Sequence, residues 1–468
     1  MNVEFLKNKI NELMGLAPTG VTTISYSKKI INNVTTDINS ITFGVMKKKP
    51  LVDLNQDEIL PSDVLIDGNL VNTDVIETGI IHPLQCNATT LAYCYQWKTT
   101  SPPNRNRYRP IRGGISLTNT NIGSSVGTLG FLALDQSTNA LVGVTNAHVV
   151  TNRNFYSSYM NPDWVIQNQI SNNAFQNGEN PLAIQLNPAF YKIGELVRYT
   201  PLHLRDGNSF TSLFGKVFMI WEVGYNPPNW APQVNANWPL PGSFSSNTVD
   251  AAVISINPDV VDPNNYNISS SQLGLDGTEF LSFATTQEID SLLNNIVLSS
   301  GRTTGAKSGD TSTTCGIKIS GNFVTAVVYY PFQVSTSTYN NGLKEEGPNF
   351  LWYGIAQFTN TLLISRIDPN CLEPVAGGDS GSAVICEFDG VKKIIGLVFA
   401  GNSTTGYVCR IDEIADKLNI VAWTGQTPTF FSSKTYISVS GRTLNDTQVC
   451  NGAEFYNGGL VRVNYPCN

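Results

Sequence analysis

The chain has 468 residues, of which 41% are hydrophobic and 14% charged, enough apolar content for one large core or two to three domains and too much for a disordered chain. Its 29 Lys and Arg against 36 Asp and Glu leave a formal charge of -7, which argues against a nucleic-acid partner, because phosphate binding draws on a clustered basic face. Nowhere do some twenty apolar residues follow one another, so no membrane span is expected.

In chain order, Phe5, Ile10, Leu13 and Met14 are spaced for one face of a helix, with Lys7, Lys9 and Glu12 between them. Such an interrupted pattern is not a secretory signal, so the expectation is a soluble, cytoplasmic protein. Strand-like runs follow at Val21 to Tyr26, Ile41 to Met46 and Val75 to Ile81, separated by polar turns, and residues 1–98 read as a small α/β module. Residues 99–112 (TTSPPNRNRYRPIR) combine Pro, Asn and Arg in a way neither a helix nor a central strand tolerates, and read as a linker. The basic run within it, Arg105 to Arg112, reads as a solvated stretch.

Residues 113–423 are mainly β, with short runs such as Gly127 to Ala133, Ala140 to Asn146, Ala251 to Ile256, Val324 to Tyr330, Ser382 to Glu387 and Lys393 to Phe399, separated by Gly, Asn, Pro and Ser clusters. Antiparallel barrels are their natural sum. Between them, Trp164, Trp221, Tyr225, Trp230 and Trp238 lie in a Pro- and Asn-rich stretch that reads as elaborated loops, which cover the barrel surface or line a groove. Ile411 to Leu418 reads as a closing helix, with Ile411, Ile414, Ala415 and Leu418 on one face and Asp412 and Glu413 in the first turn, where the helix dipole favours negative charge. Residues 424–468 return to aromatic and β-branched alternation and form a short C-terminal β extension.

The eight cysteines (Cys86, Cys94, Cys315, Cys371, Cys386, Cys409, Cys450 and Cys467) show no C-x-x-C spacing, so no metal site and no cofactor are expected. Buried, reduced thiols are the expected state, with Cys450 and Cys467 a pair that could staple the tail in an oxidising setting. The run Gly301-Arg302-Thr303-Thr304-Gly305-Ala306-Lys307-Ser308 nearly matches a phosphate-binding loop. However, Ala306 replaces the glycine before the lysine, and the turn-rich Gly309-Asp310-Thr311-Ser312-Thr313 offers no helix N-terminus; a hairpin is the better reading.

Three segments occur in the order Thr145-Asn146-Ala147-His148-Val149, Val249-Asp250-Ala251-Ala252-Val253 and Gly377-Gly378-Asp379-Ser380-Gly381-Ser382. A serine becomes a nucleophile when a base lies within hydrogen-bond reach and a carboxylate orients that base, so the three matter as a set. Glycines around Ser380 allow a tight turn that aims backbone amides at one spot, making Gly378 and Ser380 candidates for an oxyanion hole. Of the three histidines, His82 precedes a proline in the first module and His203 lies in a variable loop. His148 follows an apolar strand and is the candidate base. Asp250 enters an otherwise apolar run, where a carboxylate needs a specific partner. The order His, Asp, Ser fits a double β-barrel scheme and not the subtilisin or α/β-hydrolase ones.

These segments resemble those of the trypsin/chymotrypsin-like serine proteases, with a closer likeness to the plant narrow-leaf-type trypsin-like proteins and their bacterial relatives. The likeness extends to Arg109-Pro110, Gly113-Gly114-Ile115-Ser116, Gly127-Thr128-Leu129-Gly130, Ser300 to Gly305 and Gly396 to Gly401. In the first module it extends to Lys49-Pro50-Leu51 and Thr73 to Glu77. The resemblance implies two six-stranded β-barrels, a serine endopeptidase with His148, Asp250 and Ser380 as its triad, and a protein or peptide substrate. It also implies a pocket floored by Pro374 and walled by Phe399, Ala400 and Gly401; with no acid at the floor, a small or apolar side chain is preferred over Lys or Arg. Glu373 stands one residue away and would change that preference if the register shifted. In trypsin the acid before the serine pairs with a new amino terminus. Here a long module precedes the barrels, no Ile-Val-Gly-Gly start exists, and the partner of Asp379 is left open.

The alternative is a non-catalytic or self-cleaving interaction protein that retains the protease fold, since fold does not fix function. Oligomeric state is not legible in the sequence.

Overall fold

A computed structural model describes residues 2–18, 20–32, 34–84, 104, 108–118, 126–150, 192–200, 246–261, 280–307, 316–333, 351–368 and 374–431, with short strand pieces at 173–176, 218–219, 436–437, 443–444, 454–456 and 459–461. Trp164, Trp221, Tyr225, Trp230, Trp238 and Glu373 lie outside the described residues, as does most of the linker. The chain is mainly β and divides into two compact units, one of Met1–His82, His203–Asn247 and Phe323–Thr359, the other of Pro83–Leu202, Thr248–Asn322 and Asn360–Asn468.

The first unit opens with the helix Val3–Leu16, whose first turn is capped by the Asn2 side chain accepting from the amides of Glu4 and Phe5. Leu6, Ile10 and Met14, at i, i+4 and i+8, form its buried stripe. The stripe shares a core with Ile24, Ile41, Phe43, Val64, Ile66, Phe323 and Val327. Val21–Ile31 and Val34–Val45 pair antiparallel, and Val34–Val45 pairs parallel with Asn69–Glu77, so the third strand lies nearer the N-terminus than the periodicity of 75–81 implies. Asp67 (φ 49) and Gly68 (φ 74) make the two-residue turn joining Asp63–Ile66 to Asn69–Glu77, the Asp-Gly chemistry such hairpins need. Residues 323–325 are bound into this unit by Thr23 Oγ1 donating to the Thr325 carbonyl at 3.1 Å and Thr325 Oγ1 donating to Asn11 Oδ1 at 2.6 Å.

The second unit carries two sheets. One runs Ile420–Ala422, Phe131–Asp135, Leu141–Thr145, Ala252–Ser255, Lys192–Tyr199, Asn173–Gln176, Ser116–Thr118, Val126–Thr128, each strand antiparallel to the next. Its central strands carry apolar runs, Phe131 to Leu134, Leu141 to Val144 and Ala252 to Ile254, that are buried on both faces, hence the continuous runs rather than alternation; each ends on a polar residue, Asp135, Thr145 or Ser255. In the other sheet, Ile296–Gly301 pairs with Ala383–Phe388, which pairs with Val391–Gly401, then Thr405–Arg410, then the C-terminal half of Leu351–Arg366. The near-match to a phosphate loop is a turn between Ile296–Gly301 and Gly305–Lys307, with Gly305 at φ 70.

Helix Ile411–Leu418 buries Ile411, Ile414 and Leu418, while Ala415 is only half-buried, and it ends on Asn419 in the left-handed region. The buried Arg198 guanidinium meets Asp135 at 2.6 Å, and its Nε donates to the Leu418 carbonyl at 2.7 Å. Burial pulls the Arg198 pKa down, with Asp135 opposing the shift. Arg410, also buried, reaches Asp290 at 2.7 Å and Asp412 at 2.8 Å, and these carboxylates more than offset the burial that would lower its pKa. Among the described residues, no helix is long and apolar enough to cross a membrane.

Candidate active site

His148 lies on the one-turn helix Ala147–Val150, immediately after the strand Leu141–Thr145 rather than on the strand itself. Pairing of Thr145 with Ala252 brings the segment ending in Asp250 alongside that turn. Asn146 fixes the approach, its Nδ2 donating to the Asp250 carbonyl at 2.5 Å, and the His148 amide donates to Asp250 Oδ1 at 3.2 Å. The His148 ring then spans two partners, with Nδ1 2.6 Å from Asp250 Oδ2 and Nε2 2.7 Å from Ser380 Oγ. A carboxylate can only accept, so the network assigns the proton to Nδ1 and leaves Nε2 as the acceptor for the serine hydroxyl. Ser380, His148 and Asp250 are 0%, 5% and 1% exposed, so their mutual hydrogen bonds are little weakened by water.

Ser380 is held by its backbone. Gly378 (φ 99) and Gly381 (φ 92) adopt left-handed conformations on either side of it, and a β-carbon on Gly381 would collide with the Thr128 carbonyl. Thr128 ties the turn down: its amide donates to the Ser380 carbonyl at 2.8 Å and its Oγ1 to the Gly378 carbonyl at 2.7 Å.

Asp379, whose partner the sequence leaves open, is satisfied entirely by backbone amides. Oδ1 accepts from Thr303 at 2.9 Å and Thr304 at 3.0 Å, and Oδ2 accepts from Ala376 at 2.9 Å. The turn that imitates a phosphate loop thus binds an anion, but the anion is a carboxylate of the same chain.

With Asp379 so fixed, the amides of Gly378 and Ser380 converge on one oxygen, the carbonyl of Leu84; the Ser380 amide lies 3.4 Å from it. The Leu84 amide in turn donates to the Phe399 carbonyl at 3.2 Å, and that carbonyl oxygen lies 3.3 Å from Ser380 Oγ. The Leu84 side chain is buried beside Gly401, where an added β-carbon would lie 3.3 Å from Leu84 Cδ1 and 2.6 Å from Val375 Cγ2. Of the residues expected around a pocket, Phe399 and Gly401 therefore touch Leu84. The Pro374 carbonyl accepts from the buried Lys307 Nζ, and Ala400 is paired with Tyr407. Sequence reasoning did not single out Leu84 or Val375, and it quoted Asn146, Thr128, Thr303 and Thr304 within motifs without giving them these roles. Only Asn146, adjacent to the histidine, carried a side-chain signal.

The buried Cys409 thiol lies behind the carboxylate, its Sγ accepting from the Asp250 amide at 3.3 Å, and burial, reinforced by the Asp250 charge, pushes its pKa well up. Among the described residues, no group of three or more His, Cys, Asp or Glu could hold a metal ion.

No protein-family model and no curated protein sequence matches the chain. Solved structures of serine proteases are similar at low scores. A glutamic acid-specific serine protease is 13% identical, with a TM-score of 0.31, over 67% of this chain and 100% of the other. Thermobifida fusca protease A is 14% identical, with a TM-score of 0.28, over 67% and 99%, and Cellulomonas bogoriensis chymotrypsin is 14% identical, with a TM-score of 0.29, over 67% and 98%.

Proposed function

We propose that the chain is a serine endopeptidase acting through an acyl-enzyme. The observation that carries this reading is the His148 imidazole spanning Asp250 and Ser380 at 2.6 and 2.7 Å. His148 takes the proton of Ser380 Oγ as the oxygen attacks a peptide carbonyl, and returns it to the leaving amine. Asp250 holds the ring in the required tautomer and stabilises the imidazolium. The amides of Gly378 and Ser380 bind the developing oxyanion, and the loss of one such donor costs about 10²–10³ in turnover elsewhere.

The pocket around Phe399, Ala400 and Gly401, with Pro374 at its floor, accepts small or apolar side chains. The double-barrel arrangement belongs to the same reading, with residues 113–423 as the catalytic part and 1–98 and 424–468 as additions. For one of the two barrels this is supported by a strand order that returns from Leu351–Arg366 to Ile317–Gln333. The test is labelling with a fluorophosphonate probe. Ser380→Ala is expected to abolish it and to lower proteolysis by a factor on the order of 10⁶, and labelling that survives the substitution refutes the assignment.

A further inference from the structure

We infer that the first substrate of this site is its own chain, cut between Leu84 and Gln85; the inference rests on the proposed serine-protease reading. Three independent contacts define a residue whose carbonyl is about to be attacked, and Leu84 makes all three. Its carbonyl oxygen accepts from the Gly378 and Ser380 amides, the pair that would hold an oxyanion. Its amide donates to the Phe399 carbonyl at 3.2 Å, fixing the backbone as a short strand along the nucleophile. Its side chain is buried beside Gly401 and Val375, with the Thr405 carbonyl also next to Gly401. These donors belong to the same turn that carries Ser380 Oγ, and attack needs that oxygen within about 3–3.5 Å of the Leu84 carbonyl carbon.

The reaction follows with atoms accounted for. Ser380 Oγ bonds to the Leu84 carbonyl carbon while its proton passes to His148 Nε2. The bond from that carbon to the Gln85 nitrogen breaks, and His148 gives the proton to the departing amine. Water then attacks the Leu84 ester with His148 again as base, leaving a carboxylate on Leu84, an amine on Gln85 and Ser380 as it began.

Because Leu84 is delivered by the chain itself, the cut is unimolecular. The products are residues 1–84 and 85–468. They stay together without denaturant, because Leu6, Ile10, Ile24 and Phe43 share one core with Phe323 and Val327.

The test is the intact mass of the purified full chain over time, at two protein concentrations tenfold apart. Wild type is expected to convert to fragments ending at Leu84 and beginning at Gln85, with a rate constant independent of concentration. Ser380→Ala is expected to remain whole even when mixed with wild type, and Leu84→Glu, which places a charge where the apolar side chain sits, to remain whole while Ser380 is labelled by a fluorophosphonate. A wild-type chain that stays whole, or is cut only elsewhere, while Ser380 is labelled in either protein overturns the self-cleavage and leaves the protease reading standing. Ser380→Ala cut at Leu84 by added wild type at the wild-type rate overturns the unimolecular route. Absence of labelling in both wild type and Leu84→Glu overturns the protease reading and the self-cleavage with it.

Discussion

Asp379 accepts a hydrogen bond from the Thr303 amide at 2.9 Å, and with the amides of Thr304 and Ala376 this closes both oxygens of a buried carboxylate beside Ser380. No ammonium group is needed to hold it. The turn that aims the Gly378 and Ser380 amides is therefore set by the folded chain and requires no newly created amino terminus.

Asp379→Asn tests this directly. An amide can accept at only one of its two ends, so at least one backbone N–H would face an NH₂ group. Leaving a buried donor unsatisfied costs about 1–3 kcal/mol. The expected outcome is a loss of stability of that order in urea unfolding, together with slower fluorophosphonate labelling as the Gly378 and Ser380 amides lose their alignment. Unchanged labelling at unchanged stability would show that the carboxylate does not set the turn.

How much of this was legible in the sequence depends on whether side chains or backbone carry the information. Ser380 announces itself because Gly378 and Gly381 must flank it to reach φ near +90°. His148 is one of only three histidines, and Asp250 breaks an apolar run. These three are far apart along the chain, yet each has a local signature, and the pairing of Thr145 with Ala252 brings two of them together. By contrast, the amides of Thr303 and Thr304 have no residue signature, since any residue supplies an N–H. Leu84 was invisible for the same reason: its role comes from a backbone path, and leucine after His82-Pro83 is unremarkable in itself. The parallel pairing in the first unit was also beyond the pattern, because strand periodicity gives faces and not partners.

Arg198 and Asp135 form an ion pair that is almost wholly buried, at 1% and 0% side-chain exposure. Arg198 also donates to the carbonyl of Leu418, one of the orphan acceptors at the end of helix Ile411–Leu418. Removing one partner strands the other charge away from water, which costs about 3–5 kcal/mol. Arg198→Met is therefore expected to destabilise the chain by that amount in urea unfolding. The double change Arg198→Met with Asp135→Leu should recover part of it, because the stranded charge is removed as well.

Cys409 sits behind the Asp250 carboxylate with its pKa well above the ordinary thiol range, first through burial and then through the Asp250 charge. Thiolate is the reactive form, so the folded protein at pH 8 should leave Cys409 unmodified by iodoacetamide, while urea-unfolded protein is alkylated there. The sign for stability follows from proton binding. Above about pH 8.5, where a free thiol ionises, the unfolded chain has lost this proton and the folded chain keeps it. Stability from this group is thus complete below that pH and falls as pH rises toward the folded pKa. Peptide mapping of alkylated Cys409 across pH 7 to about 10 measures it; alkylation of the native protein at the rate of the unfolded chain would contradict the burial.

The site's preference for a side chain can be predicted from what already occupies it. Leu84 lies beside Gly401 and Val375, and the buried Lys307 ammonium donates to the carbonyl of Pro374, next in sequence to Val375. A substrate lysine entering such a space would lose its hydration, find no carboxylate among the described residues around Leu84, and approach a positive charge. A leucine loses nothing polar and gains about 1.5–3 kcal/mol from burial. Paired chromogenic peptides ending in Ile-His-Pro-Leu and Ile-His-Pro-Lys, assayed with the full-length chain, should therefore differ by at least about tenfold in kcat/KM in favour of leucine, a factor that corresponds to about 1.4 kcal/mol. Leu84→Glu is the better enzyme for this comparison, because its own chain competes less for the site. A preference for the lysine peptide would mean that an acidic group faces the pocket, and would reverse the assignment of Val375 and Gly401 as its apolar walls.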